Sequence, residues 1–357
     1  MLRTMITLNK RVQKGLNEVK LTEAKDFRKD GKGRIDILLK NLQMCLKDFN
    51  YTYYPFGSRT HSLGFDDSDL DIFIDTGGMY DGSKRQERHI QNEIIMDIVN
   101  YIRSEPEMFN VIACIVDAKV PLIRLIYQPE NIRCDLTFLN GISVEKKYLV
   151  RRYLNMDKRV KWAVIAVKVW AKDHNLIGQK GFNSYALFWM TVFVMMLSET
   201  LIPVAHLYQL YTGPKKKVIA WECGFCQGEI KDIPKSQNVK TVVDFLFDFF
   251  NYYKSSPEDP PLFSVTCPLV GREVDGEKFR TLKLSPAFKS YVDYVKAGGS
   301  GMEPFKLDSA LRVQDPLELS DNLTKWVSKE KVANFELQCY KDAQRLQFVM
   351  AMEDKKL

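Results

Sequence analysis

Two aspartates stand two residues apart in the otherwise apolar run "DLDIFI", Asp69 and Asp71. Aspartate is a poor strand former, and like charges this close repel. Strand alternation would put Asp69, Asp71, Phe73 and Asp75 on one face, with Leu70, Ile72 and Ile74 on the other. Side-by-side carboxylates suit hard cations that take oxygen ligands, Mg²⁺ or Mn²⁺. A third acid, Asp135 in the apolar run "IRCDLTFL", could reach the pair from a neighbouring strand, and a Gly57-Ser58 turn lies ahead of them. An EF-hand starting at Asp67 would need Gly at Ile72 and Glu at Gly78, so that reading fails. A charged edge strand would account for Asp69 and Asp71, but not for Asp135 or Gly57-Ser58. Asp66 and Asp67 read as loop residues that set up the strand, and Asp75 as its exit.

The elements that must carry these residues can be read on either side. "LNKRVQKGLNEVK" and "RIDILLKNLQMCLKDF" have helical spacing, with a break at "KDGKG" between them. "YTYYPF" is a short aromatic strand, "MYDGSKRQERH" a polar loop and "IQNEIIMDIVNYIRS" an amphipathic helix. "FNVIACIV", "VPLIRLIYQ" and "IRCDLTFLN" read as strands, the last two joined by a "PEN" hairpin. From about residue 142 the pattern turns helical, in "VKWAVIAVKVWAKDHNLIG", "SYALFWMTVFVMML" and "VKTVVDFLFDFFNYY". The expected organisation is an α/β unit over 34–141, inside a helical domain made of 1–33 and 142–357. "KAGGSGMEP", with Gly298, Gly299 and Gly301, reads as a flexible loop.

The 357 residues suffice for one large or two ordinary domains, and 45% hydrophobic with 27% charged residues is a globular composition. The longest apolar run, Tyr185 to Leu197, has 13 residues against the ~20 needed to span a bilayer, so no membrane span is expected. Seven scattered cysteines and no secretory signal suggest a reducing compartment; Cys223 and Cys226 lack the further ligands of a zinc site and read as loop thiols. Between Lys146 and Lys172 stand nine basic residues and one acid, enough to account for the net charge of +7. A phosphate-rich partner and a solvated helix face both explain such a window. The four histidines, His61, His89, His174 and His206, form no cluster in the sequence.

"FGSRTHSLGFDDSDLDIFID" with "RCDLTFLNG" resembles the catalytic signature of the polymerase-β-like nucleotidyltransferases, and more narrowly the terminal RNA uridylyl- and adenylyltransferases. The similarity runs from "NEVKLTEAKDF" to "DPLELSDNL". It implies an α+β, bilobal fold with a small mixed-sheet palm, a larger helical central domain and an active site in the cleft between them. Asp69, Asp71 and Asp135 would be the catalytic residues and the ligands of two metal ions. The family's Gly-Ser turn grips the nucleotide triphosphate, here Gly57 and Ser58, and backbone N–H groups at a turn opening a short helix are natural phosphate ligands. Lys168 and Lys172 match the family's triphosphate lysines; alone they read equally as rim lysines of an apolar helix. Ser184 and Tyr185 match its Ser-Tyr pair, for phosphate and base, although a tyrosine opening a buried helix is usually core.

The stretch "QDPLELSDNL", within a nucleotide-recognition segment at 313–323, places Asp315, Glu318 and Asn322 on the motif's polar positions. A carboxylate can accept from uracil N3–H, whereas adenine N1 has no proton to give, which favours UTP. Asp321 stands where some uridylyl-specific relatives carry histidine, and Lys146-Lys147 where the family has an Asn-Thr pair at the ribose. Arg151, Arg152, Lys158 and Arg159, with Lys215 to Lys217, are the expected contacts to a single-stranded RNA 3′ end. The resemblance implies a template-independent uridylyltransferase, monomeric and cytoplasmic, with an RNA-decay exonuclease as partner. The alternatives are an adenylyltransferase of the same build, a nucleotide second-messenger synthase and an inactive scaffold.

Overall fold

In the computed structural model the described residues are 2–84, 87–118, 120–228, 238–254, 264–298 and 302–353. The chain divides into two compact units, Leu16–Arg151 with Lys217–Ile219, and Met1–Gly15 with Arg152–Lys216 and Ala220–Leu357. The first unit extends beyond the expected 34 and 141 because residues past both limits pack into it. Asp26 is buried against Arg34 and Arg59, and Val144 packs on Phe73 and Met79.

The first unit holds a five-stranded sheet in the order β1-β2-β5-β4-β3. Its strands are β1 (Thr52–Phe56), β2 (Leu70–Asp75), β3 (Phe109–Ile115), β4 (Leu122–Tyr127) and β5 (Ile132–Thr137). β2 and β5 run parallel and the other neighbours antiparallel, so the sheet is mixed. Helices α1 (Leu2–Asp26) and α2 (Arg34–Cys45) precede it, α3 (Arg88–Arg103) crosses from β2 to β3, and α4 (Ile142–Met156) follows β5. The alternating residues Leu70, Ile72 and Ile74 enter one core with Leu38 and Leu42 of α2 and Ile95, Ile98 and Ile102 of α3. The opposite face of β2 carries Asp71, Phe73 and Asp75, and Phe73 packs on Met79 and Val144. Period two on the strands and 3.6 on the helices together decide which side chains are left for chemistry.

The second unit is mostly helical: α5 (Lys158–Asp173), α6 (Ser184–Leu197), α7 (Val204–Gln209), α8 (Val242–Tyr253), α9 (Gly276–Arg280), α10 (Lys289–Ala297) and α11 (Lys329–Glu353). Short strands β6 (Lys217–Val218), β7 (Trp221–Glu222), β8 (Ser264–Cys267) and β9 (Arg272–Asp275) interrupt the helices in the chain. Every residue of α6 from Ala186 to Met196 is buried, as a helix apolar all round should be. α8 packs on α5, α6 and α11, with Trp170 set among Phe249, Phe250 and Phe335. Starts are marked chemically: Asp157, Asn183 and Thr241 cap α5, α6 and α8 through their side chains. Among the described residues no helix is long and apolar enough to cross a membrane. Of the glycine-rich loop, Gly298 ends α10 with φ 59°, and Gly299 and Gly301 lie outside the described residues.

Candidate active site

β2 begins at Leu70, so Asp69 immediately precedes the strand and Asp71 is its second residue. β5 runs parallel beside it and sets Asp135 opposite Asp71; adjacent strands are ~4.8 Å apart. On the other side, β1 sets Phe56 opposite Asp71. Gly57 follows with φ 79°, and a Cβ there would lie 2.1 Å from Asp71 Oδ2. Both the left-handed backbone and the close approach require glycine. Ser58 opens a single 3₁₀ turn, Ser58–His61, in which Thr60 N and Oγ1 donate to the Gly57 carbonyl at 3.1 and 2.9 Å.

The three acids differ in their partners. Arg124 of β4 forms a fork on Asp135, with Nε and Nη2 donating at 2.8 and 2.6 Å, and Arg133 Nε lies 2.7 Å from Asp69 Oδ1. Asp71 has no ion pair among the described residues. Burial, then Asp135 and then Asp69 push its carboxyl up to about 7, with Arg124 opposing. The three acids are oxygen donors of the kind that hard divalent cations take, but among the described residues their oxygens are not gathered within 4.8 Å of one another as those of Asp315, Glu318 and Asp321 are. Asp75 belongs to the turn instead: its Oδ1 accepts from Gly77 N at 3.2 Å and Met79 N at 2.7 Å.

In the helical unit, Lys168 is buried at 4% exposure, so it is not a snorkelling rim lysine; Lys172, one turn later, is exposed. Ser184 opens α6 beneath the Asn183 cap, where Asn183 Oδ1 accepts from Ala186 N at 2.7 Å. Tyr185 meets Trp189 edge-on, with ring centroids 6.2 Å apart. Carboxylate oxygens of Asp315, Glu318 and Asp321 lie within 4.8 Å of one another. Asp315 Oδ1 accepts from Leu317 N and Glu318 N at 2.9 and 3.1 Å, and Asp321 pairs with Lys325.

Two expected contact residues are committed elsewhere. Asn322 is fully buried; its Oδ1 accepts from Val313 N, Thr324 N and Thr324 Oγ1, and its Nδ2 donates to the carbonyls of Lys306 and Leu311. That exhausts an amide, so Asn322 organises the segment and has no hydrogen bond left for a base. Arg159 grips its own helix cap Asp157 and the carbonyls of Asn238 and Lys240, which makes it a structural arginine in place of an RNA contact. Arg151 donates to the Thr60 carbonyl. Arg152 is half-buried and Lys158 exposed.

Residues 8–155 match the family model described as poly(A) RNA polymerase, mitochondrial-like, central palm domain. The chain is 25% identical over 325 residues to terminal uridylyltransferase cid1 of Schizosaccharomyces pombe, covering 87% of this chain and 72% of that protein. The family model thus spans residues 8–155 of the 357, and the relatives include a terminal uridylyltransferase and poly(A) RNA polymerases. The chain is also 23% identical to the speckle targeted PIP5K1A-regulated poly(A) polymerase of Danio rerio, over 94% of this chain and 45% of that one. To the human mitochondrial poly(A) RNA polymerase it is 25% identical, over 79% and 46%. The chain thus spans about half the length of these last two relatives. Its fold is similar to mtPAP in complex with UTP, with TM-score 0.70 and 19% identity over 95% of this chain and 70% of that one. It is similar as well to the Cid1 poly(U) polymerase bound to MgGTP, with TM-score 0.68 and 20% identity over 92% of each chain.

Sequence reasoning passed over Arg59 and Arg124 as cations that arrange the palm, and read Lys147 only as a departure at the ribose position. Arg59, in the loop after Gly57-Ser58, donates to buried Asp26 and to the carbonyls of Asp66 and Ser68. Lys147 donates to the Pro55 carbonyl at 2.8 Å; burial, then Arg151, hold its ammonium down at about 8. Arg124 had a signal: it is the one charge in the run "PLIRLIY".

Proposed function

We propose that the chain transfers UMP from UTP to RNA 3′ ends without a template. The observation that carries this reading is the placement of Asp71 between Asp135 and the Gly57-Ser58 turn. Asp69, Asp71 and Asp135 would hold two divalent cations, Mg²⁺ or Mn²⁺; when bound, these lower the pKa of the RNA 3′-hydroxyl and offset charge on the triphosphate and departing pyrophosphate. The hydroxyl gives its proton to solvent water, its oxygen bonds to the α-phosphorus, and the bond from that phosphorus to the bridging oxygen breaks, so that pyrophosphate leaves with that electron pair. Gly57 and Ser58 would present backbone N–H groups to the triphosphate; Lys168, Lys172 and Ser184 of the helical unit are proposed as further phosphate donors. Tyr185 would stack on the base. Glu318 would accept from uracil N3–H, the basis for choosing UTP, while Asp315, fully buried and accepting from Leu317 N and Glu318 N, holds the segment in shape.

Arg152, Lys158 and Lys172 lie in the basic window that would steer a single-stranded RNA. Seven scattered cysteines suit a reducing compartment, so cytoplasmic action is part of this proposal. A second reading, adenylyl transfer, is supported by the poly(A) polymerases among the relatives. Primer extension with each of the four NTPs separately, on primers differing only in the last base, tests both. UTP-dependent tails are expected; ATP-dependent tails would replace the first reading by the second, and no tail with any NTP would end both.

A further inference from the structure

We propose that Lys147 and Arg151 of α4 are positioning residues that hold the Gly57-Ser58 turn from both sides, keeping its N–H groups aimed at a nucleotide triphosphate. The inference rests on the nucleotidyltransferase reading above and gives that site a second tier of residues.

The two cations are four apart on α4 and so share one helix face. Lys147 donates to Pro55 O and Arg151 to Thr60 O, and these two carbonyls flank Gly57-Ser58 in the chain. The turn's own bonds, from Thr60 to Gly57 O and from Leu63 N to Ser58 O at 3.2 Å, only close it on itself. Pro55 lies on β1, an edge strand of the sheet, and has no N–H with which to anchor itself. Phe56, the next residue, faces Asp71. Fixing Pro55 therefore fixes both the turn and its approach to the metal-binding acid.

The burial of Lys147 supports a fixed post. It is only 9% exposed and lies 5.0 Å from the centroid of the Tyr148 ring. Burying an ammonium is costly unless it is hydrogen-bonded, and the bond it makes is spent on Pro55. Lys147 is then not arranged as a mobile solvent-facing arm for RNA phosphates; Arg151 is exposed and is tied to the turn by its bond to Thr60 O. Two positive charges behind the turn also favour an anionic ligand there.

The test uses the full chain with Mg²⁺, a non-hydrolysable NTP for calorimetry, and primer extension for rates. Lys147→Met and Arg151→Met should each raise the NTP dissociation constant and KM on the order of tenfold, the scale of one lost hydrogen bond to a charged group. kcat at saturating NTP, RNA affinity and its salt slope should stay near wild type, and Arg151→Lys should recover much of the loss. If Lys147→Met does not fold, Arg151→Met gives the same readout. Unchanged NTP binding in a folded variant would overturn the positioning role alone. Weaker RNA binding with a salt slope reduced by about one would assign these cations to RNA instead. A wild-type chain that binds no NTP would overturn both this inference and the functional reading.

Discussion

Asp135 lies opposite Asp71 across the parallel β2–β5 pair, and of the two only Asp135 is gripped by an arginine fork. The charge balance is therefore uneven, with Asp71 as the group that tends to take a proton. Its carboxyl is pushed up to about 7, against about 4 in an unfolded chain. Between those values the native state holds the extra proton, so stability is lost as pH rises through that window. Asp71→Asn should flatten this slope, and Mn²⁺ should raise Tm more at about pH 8 than at about pH 5. Thermal melts across pH with and without Mn²⁺ check this; equal shifts at both ends would count against a cation at Asp71.

Loss of a carboxylate should separate chemistry from folding. Asp69→Ala and Asp71→Ala are expected to lower nucleotide addition by roughly a thousandfold or more while circular dichroism stays near wild type, with Tm near wild type for Asp69→Ala and raised at neutral pH for Asp71→Ala. Asp135→Ala should do the same to the rate and also release Arg124. A purified Asp71→Ala protein with near-normal addition would remove the metal assignment.

Gly57 cannot be replaced cheaply. Its φ is 79°, and an added Cβ would lie 2.1 Å from Asp71 Oδ2. Gly57→Ala should cost about 1–3 kcal/mol of stability and raise the KM for NTP, read from denaturant unfolding and initial rates. Wild-type kinetics in this variant would mean that the turn is not in contact with the nucleotide.

Arg59 should matter for the fold more than for catalysis. Its side chain and that of Asp26 are 1% and 0% exposed, with Nε and Oδ2 2.9 Å apart. Arg59→Met leaves Asp26 with Arg34 alone and two main-chain carbonyls without their donor. Breaking a buried pair costs about 3–5 kcal/mol, and the remaining Arg34 contact places the expected loss near about 3 kcal/mol. Chemical denaturation measures it; a change under about 1 kcal/mol would show the network to be dispensable.

Asn322 and Glu318 should respond differently although they share one segment. Asn322→Ala removes five hydrogen bonds within the segment and should lower stability by about 2–4 kcal/mol. Glu318→Ala should leave Tm in place and reduce the preference for UTP over ATP. Paired melts and single-NTP assays distinguish them, and a pure selectivity change in Asn322→Ala would restore it as a base contact.

Elements with strong periodicity were legible in the sequence. The alternation of "LDIFID" and the unbroken apolar run of α6 each had one folded solution, because only one face or none could meet water. Asp135 was legible because a lone acid in an apolar strand needs a partner. Its arginine was harder to see, since Arg124 is eleven residues away and meets Asp135 only through strand pairing. Arg159 and Asn322 were misleading for a related reason. A residue type announces which bonds it can make, but not the neighbours that use them up, which come from far along the chain for Arg159, as Lys240 does, and from the folding back of its own segment for Asn322, as Leu311 does. The unit boundaries moved outward for the same cause, because Asp26 is drawn in by Arg34 and Arg59.

The parallel contact between β2 and β5 carries a consequence for folding. A parallel pair cannot close through a tight turn, so α3, β3 and β4 must be threaded between Asp71 and Asp135 before the two acids meet. Contacts of such sequence separation form slowly, after local helices and hairpins. Capture of the proposed cation by this pair should thus be among the last events of refolding. A stopped-flow signal from Mn²⁺ uptake would serve as a clock for completion of the sheet.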